Sequence, residues 1–219
     1  MLELLAEETP AQLIGLDISA PELELAQQRL GDRVKLLCAN ARQIPLADNS
    51  VDMVLSHGSI GVMHPIEPVI SEIARILKPG GTLRYMVNHG DTGGNVFDAY
   101  MAAVREIRKK EDKLGFLFGD PRVYRQVGLE ELAAIAEVLF TDIESENHVF
   151  FHRDTPENLY KMLTCYYEMD MLTAEGRQQL RVDTFRRWQE LGEQEELTCL
   201  FGMRLMGARK ISHIPTPAG

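Results

Sequence analysis

Between residues 10 and 88, short apolar runs alternate with amphipathic stretches, and this alternation constrains the fold more than any other feature of the chain. Residues 12–18 (QLIGLDI) are apolar up to Asp17. Continuous rather than alternating apolarity predicts a strand covered on both faces, as in a parallel sheet. A helix is expected over 20–30, with Ser19 as N-cap, Glu22 completing a capping box and Gly31 as the stop. The pattern then repeats: strands over 34–39 and 51–56 with a polar loop between them, a helix over 66–77 closed by Lys78-Pro79-Gly80-Gly81, and a strand over 82–88. Strands alternating with helices imply a doubly wound α/β sheet. The N-terminal segment Met1–Glu8 reads as the last two turns of a helix.

Beyond residue 90 the rhythm changes. Helices are expected over 95–113, 129–140, 156–169 and 174–191, the last two opened by Thr155 and Thr173, with strands over 142–152 and 196–209 and a loose tail from 211. The domain reading is therefore a cofactor-binding core over 1–90, helical lid insertions plus the last two strands over 91–210, and the tail 211–219.

Charge and cysteine usage narrow the partners. A formal net charge of −10 argues against wrapping nucleic acid or docking on anionic lipid, both of which need clustered positive charge. No stretch approaches the ~20 apolar residues of a membrane span. Cys38, Cys165 and Cys199 show no paired spacing, which suits a reducing compartment and a cytoplasmic location. A small-molecule partner is the expectation, with a homo-oligomer left open.

An acid that closes a strand of a doubly wound sheet is placed to accept from the two hydroxyls of a ribose. The alternative, an Asp that only caps the following turn, stays open for Asp17 on local sequence. The series GLDIS, CANARQIPLADNSVDMVLSHG and EIARILKPGGTL, in this order, resembles the small-molecule branch of the class I S-adenosylmethionine-dependent methyltransferases across about residues 10–88. The resemblance implies a Rossmann-like methyltransferase sheet with a helical lid built from insertions, S-adenosylmethionine as cofactor, and methyl transfer to a small molecule. It assigns ribose binding to Asp17, adenine contacts to Ile18, Asn40 and Ala41, and a cofactor position to Ser56. Where the family usually has an Asp before Ala41, this chain has Asn40, whose side-chain carbonyl still accepts. A nicotinamide-dependent oxidoreductase shares the acid after its second strand but not the Asn-Ala-x-x-Ile-Pro turn followed by Lys-Pro-Gly-Gly. A non-catalytic binding or assembly module that keeps the fold is the reading from a different class.

The resemblance also implies a first strand and a glycine-rich loop immediately before the helix at Met1, which this sequence does not contain. The expectation is an N-terminally incomplete sheet in which the strands over 12–18 and 51–56 each expose an inner edge. Direct pairing of the two, a strand from another chain, or a start inside a longer frame would each answer it. The grip on the cofactor then rests on Asp17, Asn40 and Ala41.

Methyl transfer from a sulfonium needs positioning more than acid–base help. If a base is used, His57 after the third strand is the candidate catalytic residue, with His64, His89 and Asp91 as weaker options. His148 and His152 lie ~13 Å apart on a strand, too far to share one ion, so no metal is expected. The aromatics Phe97, Tyr100, Tyr160, Tyr166, Tyr167 and Trp188 fall in the lid segments, where Trp188 is expected to report closure. The run Arg105–Lys110 reads as a solvated helix face.

Overall fold

The computed structural model describes residues 1–63, 65–88, 93–111, 138–165, 169, 172–192 and 195–212. Along the chain these form α1 (Leu2–Glu8), β1 (Leu13–Asp17), α2 (Ala20–Leu30), β2 (Val34–Cys38), β3 (Val51–His57), α3 (Glu67–Ile76), β4 (Leu77–Asn88), α4 (Gly94–Lys110), β5 (Phe140–Asp154), α5 (Pro156–Leu163), α6 (Ala174–Glu190) and β6 (Leu197–Lys210). Two compact units result. Of the described residues, the first takes 1–85, 138–144 and 206–212, and the second takes 86–111 and 145–205.

In the first unit, β1 and β2 pair in parallel, from Leu13 opposite Val34 to Asp17 opposite Cys38. Gly15 lets α1 close on this pair, because a Cβ there would stand 2.8 Å from both Leu2 Cδ1 and Leu36 Cδ2. Helix α2 begins where the sequence predicts, with Ser19 Oγ accepting from the Glu22 amide at 3.4 Å. The second half of the predicted capping box is replaced: the Ser19 amide donates to Asp17 Oδ1 at 2.8 Å rather than to Glu22. Helix α3 buries Val69, Ile70, Ile73, Ala74 and Ile76, an apolar stripe at helical spacing, with Leu77, Leu83 and Tyr85 of β4 also in the interior. The Lys78–Gly81 turn belongs to β4 instead of preceding it. Gly80 has φ 76°, and a Cβ on Gly81 would lie 2.8 Å from the Lys78 carbonyl and 3.0 Å from that of Asp52.

The strands fall into two sheets, β1–β2 and β3–β4–β6–β5. Strands β1 and β3 are therefore not neighbours, and direct pairing between them is not the arrangement adopted. Strand β3 is an outer strand of its sheet, on which Met53 is 52% and Leu55 38% exposed. Apolar sequence alone cannot supply the neighbour that would cover it.

In the second unit, α4, α5, α6 and the first part of β6 enclose a core that includes Tyr100, Val104, Ile107, Leu159, Leu163, Leu180, Trp188 and Cys199. The Tyr100 hydroxyl donates to the Leu163 carbonyl at 3.0 Å, and the Trp188 indole N–H to that of Val96 at 2.8 Å. Thr155 and Thr173 cap α5 and α6 through the amides of Asn158 and Gly176. The Arg105–Lys110 run is not wholly solvated: Arg108 is fully buried, because Met101, Val104 and Arg108 repeat at helical spacing on the inward side of α4. Helix α5 ends at Leu163, short of the predicted 169. Of the predicted helix over 129–140, residues 138–140 lie within the described residues: 138 and 139 are helical, and Phe140 already begins β5. His64, His89, Asp91, Tyr166 and Tyr167 lie outside the described residues.

Candidate functional site

The carboxyl ends of β1 and β2 bring four of the selected residues together. The parallel register sets Asp17 beside Cys38, and the Ala39 amide continues the ladder to the Asp17 carbonyl at 2.9 Å. Asn40 and Ala41 follow directly. Crevices outside the carboxyl ends of parallel strands are the usual ligand positions of such sheets, since helix N-termini and loops converge there.

Asp17 is exposed at this end. Its Oδ1 takes the Ser19 amide, and among the described residues no hydrogen bond engages Oδ2. Of the two roles the sequence left open, the turn cap is the one observed, and the second oxygen is left with its accepting capacity. Beside it the Ile18 side chain is 70% exposed, an apolar surface next to an anionic acceptor. Asn40 is exposed, and its Oδ1 accepts from the Arg42 amide at 2.9 Å while its backbone carbonyl accepts from Gln43 at 2.9 Å. One side-chain lone pair is thus already committed to the turn, leaving a second lone pair and the two amide hydrogens. Ala41 is half-buried within that turn.

Ser56 and His57 end β3, which belongs to the other sheet. The half-buried Ser56 shares a hydrogen bond with the Ser59 hydroxyl at 2.9 Å and accepts from the Ile60 amide at 3.2 Å, so it holds the turn that follows. His57 is exposed. His148 and His152 lie elsewhere, each beside a different acid: Nε2 of His148 is 3.4 Å from Glu146, and that of His152 is 3.7 Å from Asp154.

Sequence reasoning missed the clamp that fixes the loop after Asn40. From α3, Glu72 accepts the Ile44 amide at 2.7 Å, and Arg75 donates to Glu72, to the carbonyls of Ile44 and Leu46 at 2.9 Å each, and to Asp48 at 2.6 Å. The Arg75 hydrogen bonds hold the Glu72 carboxyl below the usual glutamate range against the opposing effect of burial, and the Ile44 amide adds to the lowering. Arg75 is correspondingly held above its ordinary value by Glu72 and then Asp48. The only signal in the sequence was an acid and an arginine three apart on α3, a spacing shared by many solvated helix faces.

Comparison with known proteins gives these residues a context. Residues 1–85 match the family model described as "Methyltransferase domain". Demethylmenaquinone methyltransferase of Lactiplantibacillus plantarum is 40% identical over 81 residues, which are 35% of this chain and 34% of that enzyme. The chain thus spans about a third of the length of that curated relative. A solved structure of a protein from Bacillus halodurans described as a candidate methyltransferase superposes with a TM-score of 0.56 at 19% identity, covering 96% of this chain and 87% of that one. Phosphoethanolamine N-methyltransferase 2 of Haemonchus contortus, solved with phosphomonomethylethanolamine and S-adenosylhomocysteine, gives a TM-score of 0.57 at 21% identity, covering 96% and 46%. The resemblance read from the sequence holds over residues 1–85, and the α/β Rossmann-like methyltransferase fold holds with it.

Proposed function

With residues 1–85 a methyltransferase-domain segment, we propose that the chain transfers a methyl group from S-adenosylmethionine to a small-molecule acceptor. The observation that carries this reading is the exposed Asp17 carboxylate at the carboxyl end of β1, with one oxygen fixed by the Ser19 amide and the other open toward solvent. A carboxylate held in that way suits a vicinal diol, and the exposed Ile18 side chain offers an apolar face to a purine. The residues thus fit the nucleoside end of the cofactor: Asp17 at the ribose, Ile18 against the base, and Asn40 with Ala41 at the base edge. The sulfonium of the bound cofactor supplies an already activated methyl.

This chain's own contribution is positioning. The clamp from Glu72 and Arg75 fixes the loop behind Asn40, so a donor or acceptor at the base edge need not be ordered at the moment of binding. Ser56 fixes the turn after β3, and His57 at the end of that strand is the group assigned to take a proton from an acceptor that must lose one. The net charge of −10 supports a small acceptor over nucleic acid or an anionic membrane. Among the described residues no helix is long and apolar enough to cross a membrane. Free Cys38, Cys165 and Cys199 support a cytoplasmic setting.

The test is acceptor-dependent formation of S-adenosylhomocysteine from S-adenosylmethionine, using a panel of quinols, amines and carboxylates. Activity with one class, and a lower kcat in His57→Ala without a change in cofactor affinity, is the expected outcome. Failure across the panel together with failure to bind S-adenosylhomocysteine would overturn the proposal.

A further inference from the structure

The turn after β2 fixes what Asn40 presents to a ligand. The Arg42 amide donates to the Asn40 side chain at 2.9 Å, and the Gln43 amide donates to its backbone carbonyl at 2.9 Å. A backbone N–H can be met only by the oxygen of a side-chain amide, so this contact decides which end of the group is Oδ1 and which is Nδ2. The oxygen is tied into the turn, and among the described residues no hydrogen bond engages Nδ2. The turn is itself held from behind, because Ile44 is bound at its amide by Glu72 and at its carbonyl by Arg75. Asn40 is exposed two residues beyond the Asp17–Cys38 pair, at the same end of the sheet as Asp17. Its free capacity is mainly that of a donor: two N–H groups against one lone pair on an oxygen that already accepts. An aspartate in the same turn would present acceptors alone.

We propose that Asn40 reads the purine edge as a hydrogen-bond donor, so that the nucleoside site takes a 6-oxopurine as well as a 6-aminopurine. This inference rests on the reading of Asp17 and Asn40 as the nucleoside end of a cofactor site, and adds the base selectivity of that site. Adenine carries an amine donor at its six position, flanked by acceptor ring nitrogens, whereas a 6-oxopurine carries an acceptor carbonyl there. The Nδ2 group can donate to a ring nitrogen of the first or to the carbonyl of the second, and the remaining Oδ1 lone pair still takes the amine. Asn40 is also neutral, so no charge opposes a carbonyl oxygen at this edge. A carboxylate in its place would strengthen the bond to the amine and set a negative charge against the carbonyl. The substitution of Asn for the acid therefore changes which base edge is rejected, and leaves the turn that holds the residue in place.

The measurement is titration calorimetry of S-adenosylhomocysteine and S-inosylhomocysteine into the 219-residue chain and its Asn40→Asp variant. Aspartate keeps an oxygen for the Arg42 amide, so the turn and the melting temperature should be retained. In wild type the two ligands should bind within roughly tenfold of each other, the scale of one neutral hydrogen bond. In Asn40→Asp the ratio of the inosyl to the adenosyl Kd should rise by about ten- to a hundredfold, the range of a contact to a charged group. A purely structural role for Asn40 would move both affinities together and leave that ratio unchanged. An unchanged ratio, with S-adenosylhomocysteine bound by both proteins, overturns this inference and leaves the cofactor reading standing. Failure of both ligands to bind either protein overturns the cofactor reading and this inference with it.

Discussion

Replacing Glu72 with methionine should loosen the loop behind Asn40 more than a surface ion pair would suggest. Glu72 Oε1 accepts from the Ile44 amide at 2.7 Å, and Ile44 is only 8% exposed. Without that acceptor the amide is left unpaired near the interior, at a cost of ~1–3 kcal/mol. Arg75 loses its bonds to Glu72 but keeps those to Ile44, Leu46 and Asp48, so the loop is weakened and not released. Taking about 2 kcal/mol, and about 2–4 °C per kcal/mol for a chain of this size, Tm should fall by about 4–8 °C. The pH dependence supplies the sharper check. The Arg75 hydrogen bonds lower the folded-state pKa of Glu72 below the ordinary 4.5, so its contribution is complete above 4.5 and is lost as the pH falls through the folded value. The Tm gap between wild type and Glu72→Met should therefore be widest near neutrality and narrow below pH 4.5. Scanning calorimetry at several pH values reads this directly. An unchanged Tm at neutrality, or a gap that stays constant into acid, would refute the clamp.

Three further outcomes follow from the helical unit and the caps. Leu159→Ala, at a fully buried position in the core of α4, α5 and α6, should cost ~2–5 kcal/mol by denaturant unfolding, and a cost near zero would contradict the packing there. Ser19→Ala should cost ~1 kcal/mol through loss of the cap on Glu22, measurable in the same titration. Burial pushes the Cys199 thiol up to about 11, so alkylation near neutral pH with mass-spectrometric mapping should label Cys38 and Cys165 well before Cys199.

What the sequence disclosed was local. Ser19, Thr155 and Thr173 announced helix starts to the residue, because a cap and its amide lie three positions apart in the chain. The order of strands and helices followed from apolar periodicity in the same way. What escaped was set by partners distant in sequence. The clamp joins Ile44 to Glu72, Arg108 is buried by the side of α4 it shares with Met101 and Val104, and the division into two sheets depends on which strands become neighbours. Trp188, expected to report closure from a lid, is 2% exposed and bound to Val96 within the helical core, so its fluorescence reports the integrity of that core. Asp17 was legible as an acid ending a strand. Its division of labour between the Ser19 amide and solvent was not, because a cap and a ligand contact leave the same mark in the sequence.

The central claim is that Asp17 holds the ribose of a nucleoside cofactor, and titration calorimetry of S-adenosylhomocysteine into wild type and Asp17→Asn tests it most directly. Asparagine still offers an oxygen to the Ser19 amide, so the turn is retained while the charge that strengthens the diol contact is removed. The account predicts measurable binding by wild type and a loss of about 1.5–3 kcal/mol in the variant, roughly ten- to a hundredfold in Kd, with the melting temperature of the free protein little changed. Equal affinities for the two proteins, or no binding by either, would contradict it.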